Sequence, residues 1–206
     1  PLVKLLGDGT AEGRTNAAMA LGSLAVNADN QVAIAEAGAI APLVKLLGDG
    51  TAEGRTNAAM ALGSLAVNAD NQVAIAEAGA IAPLVKLLGD GTADGRTTAA
   101  IAPQNLASNA DNEVAIAEAG AIAPLVKLLG NGTADGRTTA AMALGSLAAN
   151  ADNRVAIAEA GALAPLVKLL GDGTAEGRTT AAMALEILAS LSLIHISEPT
   201  RRTPIS

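Results

Sequence analysis

The apolar and polar positions of this chain return at a fixed interval. The segment PLVKLLGDGTAEGRTNAAMALGSLAVNADNQVAIAEAGAIA begins at Pro1, recurs letter for letter at Pro42 and recurs with changes at Pro83, Pro124 and Pro165, so the period is 41 residues. A fixed period of this length is typical of a solenoid, in which each unit buries its apolar face against the next unit. The pattern therefore predicts a repeat array.

Within one copy, apolar stretches and capping residues predict three helices. A short first helix is expected between the cap-type residue Asn27 and Gly38, a glycine of the kind that ends helices. The alternation in VAIAEA also fits a strand, but every second residue is Ala and the flanks are typical of helix caps. A second helix has Pro42 in its first turn and ends in the GDG segment, and a third is capped by Thr51 and runs to about Asn68.

The apolar residues of the predicted helices define their buried faces. In the third helix, Ala58, Leu62 and Leu65 fall on one stripe and should face the core, whereas Lys45 of the second helix should point outward. The prediction is an all-α fold in which each helical triplet packs on the next.

Two features of the third helices should lower stability. Gly54 and Gly63 each cost up to about 1 kcal/mol relative to Ala inside a helix. Pro103 replaces the leucine expected in the third copy, which removes a backbone hydrogen bond and crowds the preceding turn at roughly 3 kcal/mol or more. We expect a kink in that helix.

Composition restricts the partners of the chain. The 206 residues are 50% hydrophobic, include no Phe, Tyr, Trp or Cys, and carry a formal net charge of −7. A core of Ala, Leu, Val, Ile and Met favours close-packed helices over sheets. The negative charge repels nucleic acid and anionic lipid. No apolar run approaches the roughly 20 residues that span a bilayer, and no signal peptide is visible, so we expect an intracellular protein, cytoplasmic or nuclear.

Candidate catalytic and ligand-binding motifs in the repeat do not fit their chemistry. The loop GDGTAEGRT lacks the spacing and the lysine of a phosphate-binding loop, and it follows a helix rather than a strand. Read as a calcium loop, the third copy has Ile101 where a bidentate glutamate is required. The repeat body has neither His nor Cys, the usual bases and thiol nucleophiles. We predict a non-enzymatic protein without a metal or cofactor.

The repeat unit resembles the armadillo repeat. The resemblance lies in a short helix ending in EAGAI, a second helix reading PLVxLL and a third ending in ALx(S/N)LA, and it covers residues 1 to about 190 in five copies, the first of which lacks its first helix. The repeats start near residues 1, 27, 68, 109 and 150. HEAT repeats share the length but lack the EAGAIxPLV join. The resemblance implies a right-handed α-solenoid whose third helices line a concave groove that commonly holds an extended peptide.

The surface of the third helices is the candidate site. Counting helical turns from Met60 places Glu53, Thr56 and Ser64 on a face turned away from Leu62. By resemblance, the Met positions match the Trp ladder of importin-type armadillo grooves, and the Ser positions match a backbone-binding Asn that only Asn105 retains. The predicted groove residues are Met19, Ser23, Thr56, Met60, Ser64, Ile101, Asn105, Met142, Ser146 and Met183. The predicted acidic rim consists of Glu12, Glu53, Asp94, Asp135 and Glu176.

This surface predicts the kind of partner. A methionine floor is soft and apolar and adapts to varied ligands, although packing of Met and Ser between neighbouring units explains the same ladder without a ligand. We expect a scaffold that binds a protein or an extended peptide, apolar to mildly basic. Two alternatives stay open: the substrate-recruiting arm of a larger ubiquitin ligase, and a structural array that self-associates end to end through uncapped termini.

The end of the chain departs from the repeat. After ALEILA, the segment SLSLIHISEPTRRTPIS matches no repeat position and lacks the polar face of a terminal cap. It resembles translated vector or adapter sequence, with a genuine targeting tail as the alternative, and it contains the only histidine, His195. We expect residues 191–206 to form a non-repeat tail, disordered or a vector scar. Because the chain opens with Pro1 inside a repeat, we read it as a fragment.

Overall fold

The computed structural model describes the backbone of residues 1–197 and the side chains of residues 1–190. This part of the chain forms fourteen helices and no strand. The helices are α1 (Leu2–Asp8), α2 (Ala11–Leu24), α3 (Ala28–Glu36), α4 (Ile40–Asp49), α5 (Ala52–Leu65), α6 (Ala69–Glu77), α7 (Ile81–Asp90), α8 (Ala93–Leu106), α9 (Ala110–Glu118), α10 (Ile122–Asn131), α11 (Ala134–Leu147), α12 (Ala151–Glu159), α13 (Leu163–Asp172) and α14 (Ala175–Ser197).

The helices form a stack of triplets, which confirms the predicted all-α solenoid. The third helices, α2, α5, α8, α11 and α14, pack against one another in order, and we number the repeats one to five by them. The second helices, α1, α4, α7, α10 and α13, each pack on the third helix of the same repeat. The short first helices, α3, α6, α9 and α12, belong to repeats two to five, so repeat one has only its second and third helices.

Local signals set most helix boundaries as predicted. The side chains of Asn27 and Thr51 each accept a hydrogen bond from the backbone N–H three residues further on. Gly38 follows α3 with φ of 79°, in the left-handed region that favours glycine. The predicted end of the third helix near Asn68 is wrong, because α5 ends at Leu65 and Asn68 caps α6 instead.

The last helix passes the predicted end of the repeat domain. α14 has 23 residues and continues to Ser197, whereas the other third helices have 14 residues each. Residues 198–206, and with them the rest of the predicted tail, lie outside the described residues.

No single helix within residues 1–197 has the length and apolarity needed to cross a membrane. Two pairs of consecutive helices reach that length and composition only when each pair is counted as one segment. The angle between the two helices is 84° for α3 and α4 and 83° for α6 and α7.

The core is a continuous layer of leucine, isoleucine and alanine side chains. The predicted stripe of Ala58, Leu62 and Leu65 is completely buried. Lys45 points outward as predicted and contacts Asp49 one turn further on. Each buried leucine contributes about 1.5–3 kcal/mol relative to an exposed one, so this layer is a large favourable term in folding.

The glycines near the start of the third helices allow those helices to pack closely. A Cβ atom on Gly54, Gly95, Gly136 or Gly177 would lie 2.8 to 3.1 Å from the threonine hydroxyl oxygen of the preceding third helix. Real Cβ atoms essentially never come closer than 3.0 Å to another heavy atom, as they would at Gly136 and Gly177, and at 3.0–3.4 Å, as at Gly54, the neighbour must shift by a few tenths of an ångström. The expectation that Gly54 only lowers stability is therefore incomplete, because its missing side chain makes room for Thr15 of the preceding repeat.

Pro103 lies inside the third helix of repeat three, as predicted. α8 has the same length as α5 and α11, and Pro103 is buried within it at the position of Leu62 and Leu144. The helix therefore keeps its place in the stack although proline cannot donate a backbone hydrogen bond. The kink in this helix stays a prediction.

A row of buried asparagines links the first helices to one another. Each Nδ2 group donates to a carbonyl oxygen of the preceding first helix and to one at the end of the third helix before it. The row consists of Asn71, Asn112 and Asn153, all at most 6% exposed. These buried bonds tie each first helix to the preceding first helix and to the end of the preceding third helix.

Glu113 interrupts a second polar row on the same helices. At the equivalent position, Gln31 and Gln72 donate from Nε2 to the carbonyl oxygens of Ala25 and Ala66, at 2.9 and 3.0 Å. A carboxylate has no proton for such a bond. Glu113 is only 9% exposed, and burial raises the pKa of its carboxyl group.

Replacing Glu113 with glutamine should therefore stabilise the array by about 1 kcal/mol near neutral pH, because it removes a buried charge and restores the donor. The raised pKa means that the folded wild type gains stability as the pH falls from the folded pKa to the lower unfolded one. The advantage of Glu113→Gln should shrink over that interval. Urea unfolding at neutral and acidic pH, with exposed Glu118→Gln as control, measures both effects. A difference independent of pH would contradict this account.

Candidate functional site

The third helices carry the predicted ladders on one continuous surface. An acidic residue stands in the first turn of each, and the methionine or isoleucine follows two turns later. The acidic residues are all exposed, namely Glu12, Glu53, Asp94, Asp135 and Glu176. Met60, Ile101 and Met142 are half-buried, while Met19 and Met183 in the first and last repeats are 47% and 59% exposed.

The inner ladder residues also pack between repeats. The Cβ position of Gly22 lies 3.0 Å from Cε of Met60, and that of Gly63 lies 3.3 Å from Cγ2 of Ile101. These glycines leave space for the ladder side chain of the following repeat. The ladder therefore contributes to stacking, and part of each side chain remains accessible to a partner.

A shallow apolar groove lies between α11 and α14. It has a volume of about 320 Å³ and brings together Met142, Ser146 and Met183 from the predicted set. Gly145 and Ile187 complete much of its lining. The groove is apolar because the ladder residues and the bare helix backbone at glycine form its floor.

A second groove lies between the starts of α5 and α8. It has a volume of about 340 Å³ and brings together Glu53, Thr56 and Asp94 from the predicted set. Its lining includes two carboxylates and no basic side chain. This end of the surface therefore attracts cationic groups.

Some predicted residues already donate hydrogen bonds within the array. The Nδ2 group of Asn105, the one residue that retains the resemblance to importin-type grooves, donates to the carbonyl oxygen of Gly63 on the neighbouring helix at 2.9 Å. The hydroxyl of Thr56 donates to the carbonyl oxygen of Ala52 at 3.0 Å. These donor groups are already engaged within the array, so the apolar ladder and the carboxylates are the stronger candidates for contact with a ligand.

One position on this surface was missed by the sequence prediction. Asn57 lines the second groove and Thr180 lines the first, and they are equivalent residues of repeats two and five. The spacing contained the signal, because Asn57 follows Glu53 by four residues and precedes Met60 by three, which places the three on one helical face.

The surface offers contact area and charge. Among the described residues, no group of three or more His, Cys, Asp or Glu side chains is arranged to hold a metal ion. The grooves contain methionine, serine, threonine and carboxylate groups, which suit recognition by packing and by charge.

The geometry defines a helical repeat solenoid with a grooved surface. Two family models, both of helical repeats, match the sequence. The model for HEAT repeats matches residues 1–103, and the model for the Armadillo/beta-catenin-like repeat matches residues 109–149. A search of curated proteins finds no match.

Several solved structures of engineered and designed proteins are similar to this chain over most of its length. An engineered protein is 37% identical, with a TM-score of 0.86 over 92% of this chain and 78% of the other. The designed armadillo repeat protein YIII(Dq)4CqI is 38% identical, with a TM-score of 0.85 over 91% and 81%. The designed armadillo repeat protein YIII(Dq.V1)4CPAF, solved in complex with the peptide (KR)4, is 38% identical, with a TM-score of 0.83 over 91% and 80%.

The chain belongs to the armadillo repeat family and is similar to its designed members. Armadillo repeat proteins mediate protein interactions, and the family is generally non-catalytic.

Proposed function

We propose that this chain binds extended peptides along the surface of its third helices. The observation that carries the proposal is the row of partly exposed ladder residues, Met60, Ile101 and Met142 among them, which continues from repeat to repeat and opens into the groove between α11 and α14. A ladder with one similar position per repeat suits a ligand whose own backbone is extended and regular.

The chemistry of the surface favours apolar to mildly basic peptides. Met142 and Met183 offer polarizable apolar contacts without a fixed shape. Glu53 and Asp94 add negative charge beside the ladder. A designed relative is described in complex with (KR)4, which supports a preference for basic ligands in this chain.

Removing the methionine contacts should weaken binding of apolar-basic peptides. In Met142→Ser/Met183→Ser, the dissociation constant of a labelled alternating Leu-Lys octapeptide should rise by about tenfold or more, because burial of two apolar side chains is lost. Fluorescence anisotropy measures the change. Val114→Ser/Val155→Ser is the control, since these valines are also apolar and accessible, at 41% and 44% exposed, but lie on first helices.

The carboxylates are tested separately. Glu53→Gln/Asp94→Asn should weaken binding of (KR)4 and reduce its dependence on salt, with a smaller effect on less charged peptides. A Leu-Glu octapeptide should bind the wild type worst. The proposal fails if the acidic peptide binds best, or if the serine variants bind the Leu-Lys peptide as tightly as the wild type does.

A further inference from the structure

An ion pair recurs where one repeat stacks on the next. The arginine near the start of a third helix faces the aspartate that ends the second helix of the following repeat. The pairs are Arg14 with Asp49 at 3.6 Å, Arg55 with Asp90 at 3.9 Å, and Arg137 with Asp172 at 2.5 Å. The arginine side chains are at most 24% exposed, so most of each cation is removed from water.

The aspartate also interacts with a lysine on its own helix. Lys45 donates a hydrogen bond to Asp49, and this bond, together with the charge of Arg14, lowers the pKa of that carboxyl group. At Asp172 a hydrogen bond from Arg137 lowers the pKa most, and the charge of Lys168 acts in the same direction. Each such aspartate thus balances an arginine of one repeat and a lysine of its own.

The junction between repeats three and four lacks this carboxylate. Asn131 occupies the aspartate position, while the equivalent cations, Arg96 and Lys127, are retained. These three residues line a cavity of about 80 Å³ together with Gly132, with Leu88 and Pro124 among its apolar walls. No acidic side chain is part of the lining.

The Arg96 side chain is held in position beside the cavity. A guanidinium nitrogen of Arg96 donates to the carbonyl oxygen of Gly91 at 3.0 Å, which fixes the side chain in place. A guanidinium group has five N–H donors, so donors remain beside the ammonium group of Lys127 and the amide of Asn131. The lining supplies no counter-charge to Arg96 and Lys127, and a bound anion would supply one.

We propose that this cavity binds a small tetrahedral oxoanion of the phosphate class, which takes the place of the missing aspartate. The volume has room for several water molecules, which suits an oxoanion and is too small for a peptide or a nucleotide. A dianion is favoured over a monocarboxylate because two cations face the site. The bound ion links Arg96 of repeat three to Lys127 of repeat four, so it should stabilise that junction.

Inorganic phosphate is the probe, and Asn131→Asp is the decisive variant because it restores the residue of the other repeats. Phosphate binding to the full chain, followed by 31P NMR line width at constant ionic strength set with chloride, should weaken at least about tenfold in the variant. The melting temperature of the wild type should rise with phosphate, and that of the variant should hardly respond.

A second variant tests whether removal of an aspartate at another junction creates a phosphate site. Asp90→Asn creates the same vacancy beside Arg55 and Lys86 at the junction between repeats two and three, and it should add a second phosphate site. The proposal is overturned if phosphate binds the wild type and Asn131→Asp equally, if Asp90→Asn gains no site, or if acetate competes as strongly as phosphate. None of these measurements involves the peptide-binding surface, so the two proposals fail or hold independently.

Discussion

Pro103→Leu should raise the free energy of unfolding by about 3 kcal/mol, the usual penalty of a proline inside a helix. The residue lies within α8 and is buried, and the equivalent Leu62 and Leu144 are at most 1% exposed. Leucine would restore the backbone bond to the carbonyl oxygen of Ala99 and add a core side chain.

Urea unfolding of the two proteins measures the gain, and hydrogen exchange locates it. Because coupling in such arrays runs mainly between neighbours, the added protection should centre on repeats two to four. Pro103→Ala restores the N–H without the leucine side chain and should show a smaller gain. A loss of stability in both variants would mean that the surrounding helices have packed specifically around the proline ring.

Asn112→Ala should lower the free energy of unfolding by about 2 kcal/mol, because two buried hydrogen bonds are lost at about 1 kcal/mol each. The Nδ2 group of Asn112 donates to Gln72 and Leu106, and its side chain is among the buried polar groups. Both bonds join repeat four to repeat three, one to α6 and the other to the end of α8.

Asn30→Ala is the matched control. Asn30 is the equivalent residue of α3, but its side chain makes only the bond to the Leu24 carbonyl oxygen and is more exposed. We therefore expect a loss of about 1 kcal/mol or less. Equal losses at the two positions, measured by urea unfolding, would show that the bond to the preceding first helix adds nothing to stability.

The sequence by itself determined the helices and their order. The caps at Asn27 and Thr51, the glycine at Gly38 and the apolar stripe through Leu62 depend on residues within one or two turns, and spacing along the chain records such interactions directly. For the same reason the position of Pro103 inside a helix was predictable. The end of α5 was placed too late because Asn68 acts as a cap for the following helix.

The candidate site was determined by sequence only in part. The recurrence of Met60 and Glu53 in each repeat was enough to place them on the third helices, and the missed Asn57 lies on the same face by helical spacing. The hydrogen bond from Asn105 to the carbonyl oxygen of Gly63 could not be predicted from the sequence, because the two residues are 42 positions apart and meet only when the repeats stack.

Tertiary structure decided what the repeated residues do at the junctions. Within its own helix, Gly54 only lowers helix stability. Its role in packing appears only when Thr15 of the preceding repeat lies against it. Asn131 differs by one charge from the aspartate of the other repeats, and only the stacking places it in the lining of one cavity with Arg96 of another repeat. Helix periodicity is a local property of the chain, whereas close approach and charge balance depend on which surfaces the stacked repeats bring together.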